Sequence, residues 1–272
     1  MISTILKILL GVAIGVPLFM WVFQERMLFF PRPLDSRPAP RPNVEDVSIV
    51  AADGVKLRGW LVKGDGAPAP LVIYFGGNAE EVSWLVDLAP HFAGWSLLLV
   101  NFRGYGESEG RPGEKELLGD GLVIHDYAKG RPEVDSQRIV AMGRSLGSGV
   151  AVHLAAHRVL RGVILVSPYD SIVEVAKRHY PFLPVSLMLR HRFDSLALAS
   201  RIEAPMLCLV ATEDRVIPAA NSRALFAAWR GTKIWHGVPG SDHDSISDEP
   251  GYWRSISDFL KTLRQGTQTP LL

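Results

Sequence analysis

The sequence is poor in cysteine and has almost no excess of charge of either sign. Its 272 residues include one cysteine, Cys208, which excludes a disulfide framework and any zinc site built from several cysteines. The 29 basic side chains are balanced by 28 acidic ones, whereas proteins that bind nucleic acids usually concentrate positive charge. Because 47% of the residues are hydrophobic, most of the chain also lacks the composition of a disordered protein.

Apolar residues are concentrated at the amino terminus. Residues 1–23 include 17 apolar side chains and a single charge, that of Lys7, and the stretch Ile8–Phe23 has no charge. At about 1.5 Å per residue, a helix of this length spans roughly 34 Å, which exceeds a bilayer core of about 30 Å. Residues 1–23 are therefore predicted to form a single-pass membrane anchor.

Two other interpretations of this segment stay open. A cleaved signal peptide would need a pair of small residues at a cleavage site, and the sequence that follows Phe23 provides none. A buried helix of a soluble protein is the second alternative. The side of the membrane is not predicted, because large domains translocate with little regard to the charges that flank an anchor.

The next segment is rich in proline. Five prolines fall between Pro31 and Pro42, and proline is incompatible with a helix interior or a central strand. Residues 24–43 are therefore predicted to be an extended spacer. A single globular domain is predicted over residues 44–265, followed by a short tail at 266–272.

Short apolar runs alternate with helical stretches through this domain. Residues 44–50 and 55–62 flank Asp53-Gly54, which is a strong signal for a β-hairpin. The further predicted strands are 71–75, 97–102, 138–142, 163–167, 206–211 and 233–236. The predicted helices lie near 79–89, 114–129, 146–158, 219–229 and 250–264. Apolar runs without in-and-out alternation are typical of strands that are covered on both faces.

This order of elements predicts an α/β fold, with a mostly parallel, doubly wound sheet that begins with an antiparallel hairpin. Residues 168–200 interrupt the alternation with three prolines among apolar residues. They are predicted to form a lid-like insertion over the carboxyl edge of the sheet, which is where such folds bind ligands.

A nucleophilic serine is indicated by Gly143-Arg144-Ser145-Leu146-Gly147, which fits the Gly-x-Ser-x-Gly pattern of a nucleophile elbow. An elbow requires a buried strand before the serine and a helix after it, and Ser145 lies between two such predicted elements. The same pattern recurs at Gly106–Gly110, but glycine and proline on both sides of Ser108 indicate a loop. Ser145 is therefore predicted to be the nucleophile.

A serine hydroxyl needs a base, and the base needs a carboxylate that orients it. In proteins with such an elbow, the acid follows the serine and the histidine comes last. The acid is expected just beyond the strand at 206–211, where Glu213 and Asp214 are both candidates. Of the eight histidines, His236 and His243 lie late enough and at the carboxyl edge, and the loop position of His243 favours it as the base.

The tetrahedral intermediate of such a reaction needs two backbone donors. One is predicted to be the amide of Leu146, the residue after the nucleophile. The other is predicted in the glycine-containing turn after the strand at 71–75, at the amide of Asn78, because glycines let the backbone approach a substrate closely.

Several motifs occur together in a familiar order along the chain. They are Tyr74–Ala79, Asn101–Gly110, Gly143–Gly147, Ser167–Ser171, Asp214 with Val216–Pro218, and Gly240–Asp244. With the apolar amino terminus, they resemble the α/β-hydrolase superfamily over about residues 20–265, and most of all its membrane-anchored Bem46-like group. The resemblance implies Ser145 as nucleophile, Asp214 as acid and His243 as base. One departure is Gly76-Gly77-Asn78, where many relatives have His-Gly-Asn.

The function expected from these features is that of a serine hydrolase acting on carboxylic esters or thioesters of acyl or lipid-like molecules. No metal and no organic cofactor is expected, and the expected partners are a small acyl substrate and the membrane, not nucleic acid. An aminopeptidase-like amide hydrolase is the enzymatic alternative. A membrane-tethered scaffold without turnover is the alternative from another class of protein.

Overall fold

The structure is a computed structural model that describes residues 2–265, so the predicted tail at 266–272 lies outside the described residues. Its strands are β1 (Val44–Val50), β2 (Lys56–Val62), β3 (Ala69–Phe75), β4 (Ser96–Val100), β5 (Val134–Arg144), β6 (Gly162–Val166), β7 (Met206–Ala211) and β8 (Lys233–Val238). They form one eight-stranded sheet in the order β1-β2-β4-β3-β5-β6-β7-β8.

The helices cover both faces of this sheet. They are α1 (Ile2–Leu28), α2 (Glu114–Lys129), α3 (Leu146–His157), α4 (Ile172–His179), α5 (Val185–Met188), α6 (Leu196–Ala199), α7 (Ala219–Ala228) and α8 (Pro250–Gln265). One apolar core contains buried side chains of α2, α3 and α7, and a second core on the other face contains those of α8. The sheet residues between the two cores are buried on both faces, which is why their sequence shows no alternation.

The mixed sheet agrees with the fold class predicted from the sequence. Strands β1 and β2 pair in an antiparallel hairpin, with Val44 opposite Val62, and β2 then pairs antiparallel with β4. Pairing from β4 through β3 to β8 is parallel throughout. All carboxyl ends of the parallel strands therefore lie at one edge, where the candidate residues of β5, β7 and β8 meet.

The prediction of one helix near 79–89 is wrong. The chain there forms two short 3-10 helices, Val82–Val86 and Ala89–Phe92, and the second has a proline in its first turn. The carboxylate of Glu80 accepts the amide of Gly77, and that of Glu81 accepts the amide of Ser83. Side chains that bond nearby amides in this way compete with the hydrogen bonds of an α-helix.

The predicted insertion at 168–200 contains the short helices α4, α5 and α6, joined by irregular segments. Its first helix begins at a capping serine, because Ser171 Oγ accepts the amide of Glu174 at 3.1 Å. The sequence pattern indicated the interruption but did not resolve these three helices.

Helix α1 ends at Leu28, beyond the anchor boundary predicted at residue 23 and inside the predicted spacer. Nothing between Gln24 and Leu28 disfavours a helix, and the first proline of the spacer is Pro31. The side chains described from Ser3 to Phe23 are mostly exposed, whereas Gln24 and Phe29 are buried. The end of α1 is therefore packed against the globular domain.

A buried ion pair fixes the loop after β4. Arg103 donates to Asp120 at 2.6 Å and to Asp53 at 2.8 Å, and the side chains of Arg103 and Asp120 are 6% and 4% exposed. These carboxylates raise the pKa of Arg103, so the guanidinium stays charged. The pair holds the loop that carries Tyr105 against α2.

Replacing Arg103 by methionine is expected to lower the free energy of unfolding by about 3–5 kcal/mol, because Asp120 would remain buried without a cation. Urea unfolding of the detergent-solubilised protein measures this loss. The matched control is Arg138→Met, which breaks a more exposed pair with Asp135 and is expected to cost less than about 1 kcal/mol. Equal losses in the two variants would contradict the prediction.

Candidate active site

Ser145 lies at a sharp turn between β5 and α3. Its backbone has φ 48° and ψ −117°, a conformation that non-glycine residues rarely adopt. The glycines on either side are required by space: a Cβ on Gly143 would lie 2.3 Å from the carbonyl oxygen of Gly147, and one on Gly147 would lie 2.1 Å from that of Phe75. The turn therefore raises the serine side chain at the carboxyl edge of the sheet.

His243 contacts Ser145 from the loop after β8. Its Nε2 is 3.0 Å from Ser145 Oγ, and its Nδ1 is 2.8 Å from Asp214 Oδ2. An ionised carboxylate can only accept, so Nδ1–H donates to Asp214, and Nε2 is left to accept the proton of the serine hydroxyl. The structure thus brings together the three residues predicted as nucleophile, base and acid.

Asp214 is held in place by the loop that follows β7. Its Oδ1 accepts the amides of Val216 at 2.9 Å and Ile217 at 2.7 Å, which leaves Oδ2 for the imidazole. Burial alone would raise the pKa of Asp214, but the hydrogen bond from His243 and the amide of Ile217 keep it below its ordinary value. The carboxylate therefore stays ionised and keeps the imidazole in one orientation.

The other residues considered as acid, base or nucleophile lie outside the hydrogen-bonded group of Ser145, His243 and Asp214. Glu213 is exposed beside Asp214, and His236 lies within β8 with its Nε2 beside Gly251 at the start of α8. Ser108, from the second Gly-x-Ser-x-Gly match, accepts the amide of Arg58 at 2.8 Å and donates to the carbonyl of Asn101 at 2.8 Å. These bonds engage its hydroxyl in a structural contact between the loop and β2.

The two predicted oxyanion donors border Ser145. Leu146 is the first residue of α3, and the turn containing Asn78 lies close by, since a Cβ on Gly77 would be 3.7 Å from Ser145 Cβ. Within residues 2–265, neither the Leu146 amide nor the Asn78 amide donates to a protein acceptor. The oxyanion role predicted for these two amides stays a prediction.

The structure adds a partly buried ion pair that the sequence did not reveal. Glu80 accepts the amide of Gly77 at 2.6 Å and pairs with Arg144 at 3.3 Å, while Arg144 donates to the carbonyl of His243 at 3.0 Å. One carboxylate thus connects the Gly77–Asn78 turn, the elbow and the histidine loop. The sequence offered one signal for this pair, the position of Arg144 next to the nucleophile in the elbow motif. The motif allows any residue at that position, so it did not indicate a role for Arg144.

The contacts of the Asn78 side chain were also not predicted, because the sequence motif indicated a role only for the backbone amide of this residue. Its Nδ2 donates to the carbonyl of Leu28 at 2.6 Å, and its Oδ1 accepts the amide of Phe30 at 3.0 Å and the hydroxyl of Tyr105 at 2.8 Å. The turn beside Ser145 is therefore bonded to the residues at which α1 ends.

Metal ligation is not suggested by the described residues, since no group of three histidine, cysteine, aspartate or glutamate side chains in residues 2–265 is arranged to hold an ion.

Comparisons with known proteins agree with this architecture. A family model described as the alpha/beta hydrolase fold matches residues 70–198. Protein Rv2307c of Mycobacterium tuberculosis is 37% identical over 238 residues, covering 86% of this chain and 85% of its own length. The membrane protein YNL320W of Saccharomyces cerevisiae is 29% identical over 235 residues, covering 83% and 81%.

Among solved structures, an acetyl xylan esterase from Paenibacillus sp. R4 superposes with a TM-score of 0.69 at 22% identity, covering 90% of this chain and 93% of its own. A likeness at this level of identity concerns the fold alone. The sheet order, the elbow and the sequence relatives together define the class: this chain belongs to the α/β-hydrolase superfamily.

Proposed function

We propose that this protein is a serine hydrolase that cleaves carboxylic esters or thioesters of acyl or lipid-like molecules. The observation that carries the proposal is the pair of contacts, 3.0 Å and 2.8 Å, that joins Ser145 to His243 and His243 to Asp214. The fold does not need three hydrogen-bonded side chains of this kind to hold a surface loop in place. Both distances lie within the range for proton transfer.

The mechanism is acyl transfer in two steps. His243 Nε2 takes the hydroxyl proton as Ser145 Oγ attacks the carbonyl carbon, and the imidazolium then gives that proton to the leaving oxygen or sulfur. Water, deprotonated by His243, attacks the acyl-enzyme and releases the acid. The amides of Leu146 and Asn78 hold the oxyanion in both steps, and Asp214 stabilises the imidazolium that forms in each.

We propose further that α1 anchors the protein in a membrane. Ser3–Leu28 is 26 residues long, and its most apolar window has a mean hydropathy of 2.3. None of the side chains in that window whose burial the structure describes is buried, unlike those of a core helix. A cleaved signal sequence is less consistent with the end of this helix, where Gln24 is buried and Asn78 bonds the Leu28 carbonyl. A similar yeast protein named a membrane protein supports the anchor.

Pre-steady-state hydrolysis of p-nitrophenyl acetate tests the reaction. A burst of p-nitrophenol close to one equivalent per chain, followed by slower turnover, is the expected sign of an acyl-enzyme. The same assay with aminoacyl p-nitroanilides separates ester from amide hydrolysis, and faster turnover of the anilides would favour the aminopeptidase alternative. Absence of turnover on both classes of substrate would favour the scaffold.

Carbonate extraction of membranes tests the anchor. The full-length chain is expected to stay in the pellet with its amino-terminal segment intact. Release of the full-length chain, or a mature chain that begins after residue 23, would contradict the anchor.

Glu80→Gln is expected to lower kcat for p-nitrophenyl acetate by up to about 10²-fold, because small displacements of reacting groups cost that much. The substitution removes the charge that holds Arg144 and, through it, the His243 loop. Glu81→Gln is the matched control, since Glu81 contacts Ser83 and Asn101 but not the Gly77 turn. A similar kcat in the two variants would contradict this positioning role.

A further inference from the structure

An apolar groove runs between α1 and the insertion. It has a volume of about 130 Å³, and its walls include Met20, Met27 and Leu28 of α1 and Ile172, Ala176 and Met188 of the insertion. Nearly all of its lining is aliphatic, aromatic or thioether. A site of this composition suits a hydrocarbon chain and not a polar molecule.

The groove is held in shape by polar contacts at its margin. Gln24 is 5% exposed, and it donates to the carbonyl of Met188 at 3.2 Å and accepts the amide of Arg190 at 2.8 Å. The guanidinium of Arg190 lies 5.3 Å from the centre of the Trp21 ring. The anchor helix and the insertion are therefore fastened together on either side of an apolar gap.

The groove is connected to the candidate site through Leu28. Leu28 lines the groove, and its carbonyl accepts a hydrogen bond from the side chain of Asn78, which lies in the same turn as Gly77, next to Ser145. His179 at the end of α4 contacts the carbonyl of Val216 at 2.9 Å, in the loop that carries Asp214. Helices α1 and α4, which both line the groove, are thus each bonded to a segment that carries a residue of the candidate site.

The outer end of the insertion is apolar and uncovered. Phe182 is 97% exposed and Leu187 is 88% exposed, on the segment that leads into and through α5. Side chains of this size are costly to leave in water. Arg26 near the end of α1 and Arg178 near the end of α4 are exposed, and such side chains are suited to the headgroup region of a membrane.

We propose that the insertion contacts the same bilayer as α1, and that the groove between them receives the acyl chain of a membrane lipid with its ester or thioester directed to Ser145. This inference rests on the proposed hydrolase activity and on the proposed anchor. The occupant follows from the surroundings: α1 is uncharged from Ile8 to Phe23, so the groove begins where a membrane-spanning helix leaves hydrocarbon.

The membrane contact is tested with a fluorophore on Phe182→Cys. Cys208 is 1% exposed, so a polarity-sensitive nitrobenzoxadiazole label on the folded chain reacts with the new cysteine. Val159→Cys is the matched control, because Val159 is 94% exposed but follows α3 at the opposite edge of the sheet. The full chain is reconstituted in phosphatidylcholine vesicles that carry a nitroxide on the acyl chain.

Quenching at position 182 but not at 159 is the expected result. Equal exposure to water at both positions, in protein that floats with the vesicles, would overturn the membrane contact while leaving the anchor intact. Protein that does not float would overturn both.

The groove is tested by filling it. Ala176→Phe is expected to lower kcat/KM for p-nitrophenyl decanoate by at least about 10-fold, as for the loss of about two buried methylenes, and to change that for p-nitrophenyl acetate less than about 2-fold. Ala176→Leu, a smaller extension, gives a smaller change of the same kind if phenylalanine disturbs folding. Ala227→Phe, exposed on α7, is the matched control.

Retention of decanoate turnover in both Ala176 variants, or an equal loss on the two esters in Ala176→Leu, would overturn the groove as the acyl site. Absence of turnover on either ester in the unsubstituted protein would instead overturn the proposed hydrolase function, and the groove with it.

Discussion

Replacing Ser145 by alanine is expected to lower kcat for p-nitrophenyl acetate by on the order of 10⁶. The loss is large because the two chemical steps share this one oxygen, and no neighbouring hydroxyl is positioned against His243 Nε2 at a comparable distance in residues 2–265. Steady-state rates of the purified variant measure it.

Ser108→Ala is the control for this experiment, since it removes the serine of the only other Gly-x-Ser-x-Gly match in the sequence. The hydroxyl of Ser108 forms hydrogen bonds with the backbone of Arg58 and Asn101. Its loss is therefore expected to affect the free energy of unfolding more strongly than kcat. A large fall in kcat for Ser108→Ala with retained activity in Ser145→Ala would reverse the assignment.

Replacing Asp214 by asparagine is expected to lower kcat by on the order of 10⁴, because an amide at this position can no longer hold the imidazole with Nδ1–H toward it. The neighbouring carboxylate offers a close control. Glu213→Gln removes one negative charge from the adjacent position, where the side chain is exposed, and is expected to leave kcat within about 2-fold. The reverse order of effects would identify Glu213 as the acid.

The lowered pKa of Asp214 predicts that the stability of the folded protein depends on pH. Its pKa in the folded protein lies below the ordinary carboxyl value, so its contribution to stability is complete above that value and is lost as the pH falls through the lower, folded-state pKa. The difference in Tm between the unsubstituted protein and Asp214→Asn should therefore shrink on acidification. A difference that grows toward acidic pH would show that the carboxylate is not stabilised by its partners.

The sheet could be predicted from sequence because its signals are local. Runs such as 206–211 are short and apolar at every position, which is typical of a strand covered on both faces. The segment at 79–89 could not be assigned in the same way. Its conformation depends on side-chain oxygens that accept backbone amides: Glu80 accepts that of Gly77, and the distant Asn101 accepts that of Val82. Composition alone does not distinguish such contacts from an exposed helix face.

The candidate site likewise contains residues that could be predicted from the sequence and contacts that could not. Ser145 is marked by glycines that the turn requires, and His243 by its place in the loop after the last strand. The pairing of Glu80 with Arg144 joins residues that are far apart in the chain and depends on their burial. The contact of Asn78 with Leu28 depends on where α1 ends against the domain, which is set by packing and not by the pattern of either segment.

Locating the adduct that a fluorophosphonate forms on the full-length protein tests the assignment of Ser145 most directly. Intact-mass and peptide mass spectrometry should find one adduct per chain, on the peptide that contains Ser145. The adduct should be absent from Ser145→Ala and retained in Ser108→Ala. Equal labelling of Ser145→Ala, or an adduct on another residue, would contradict the assignment of Ser145 as the nucleophile.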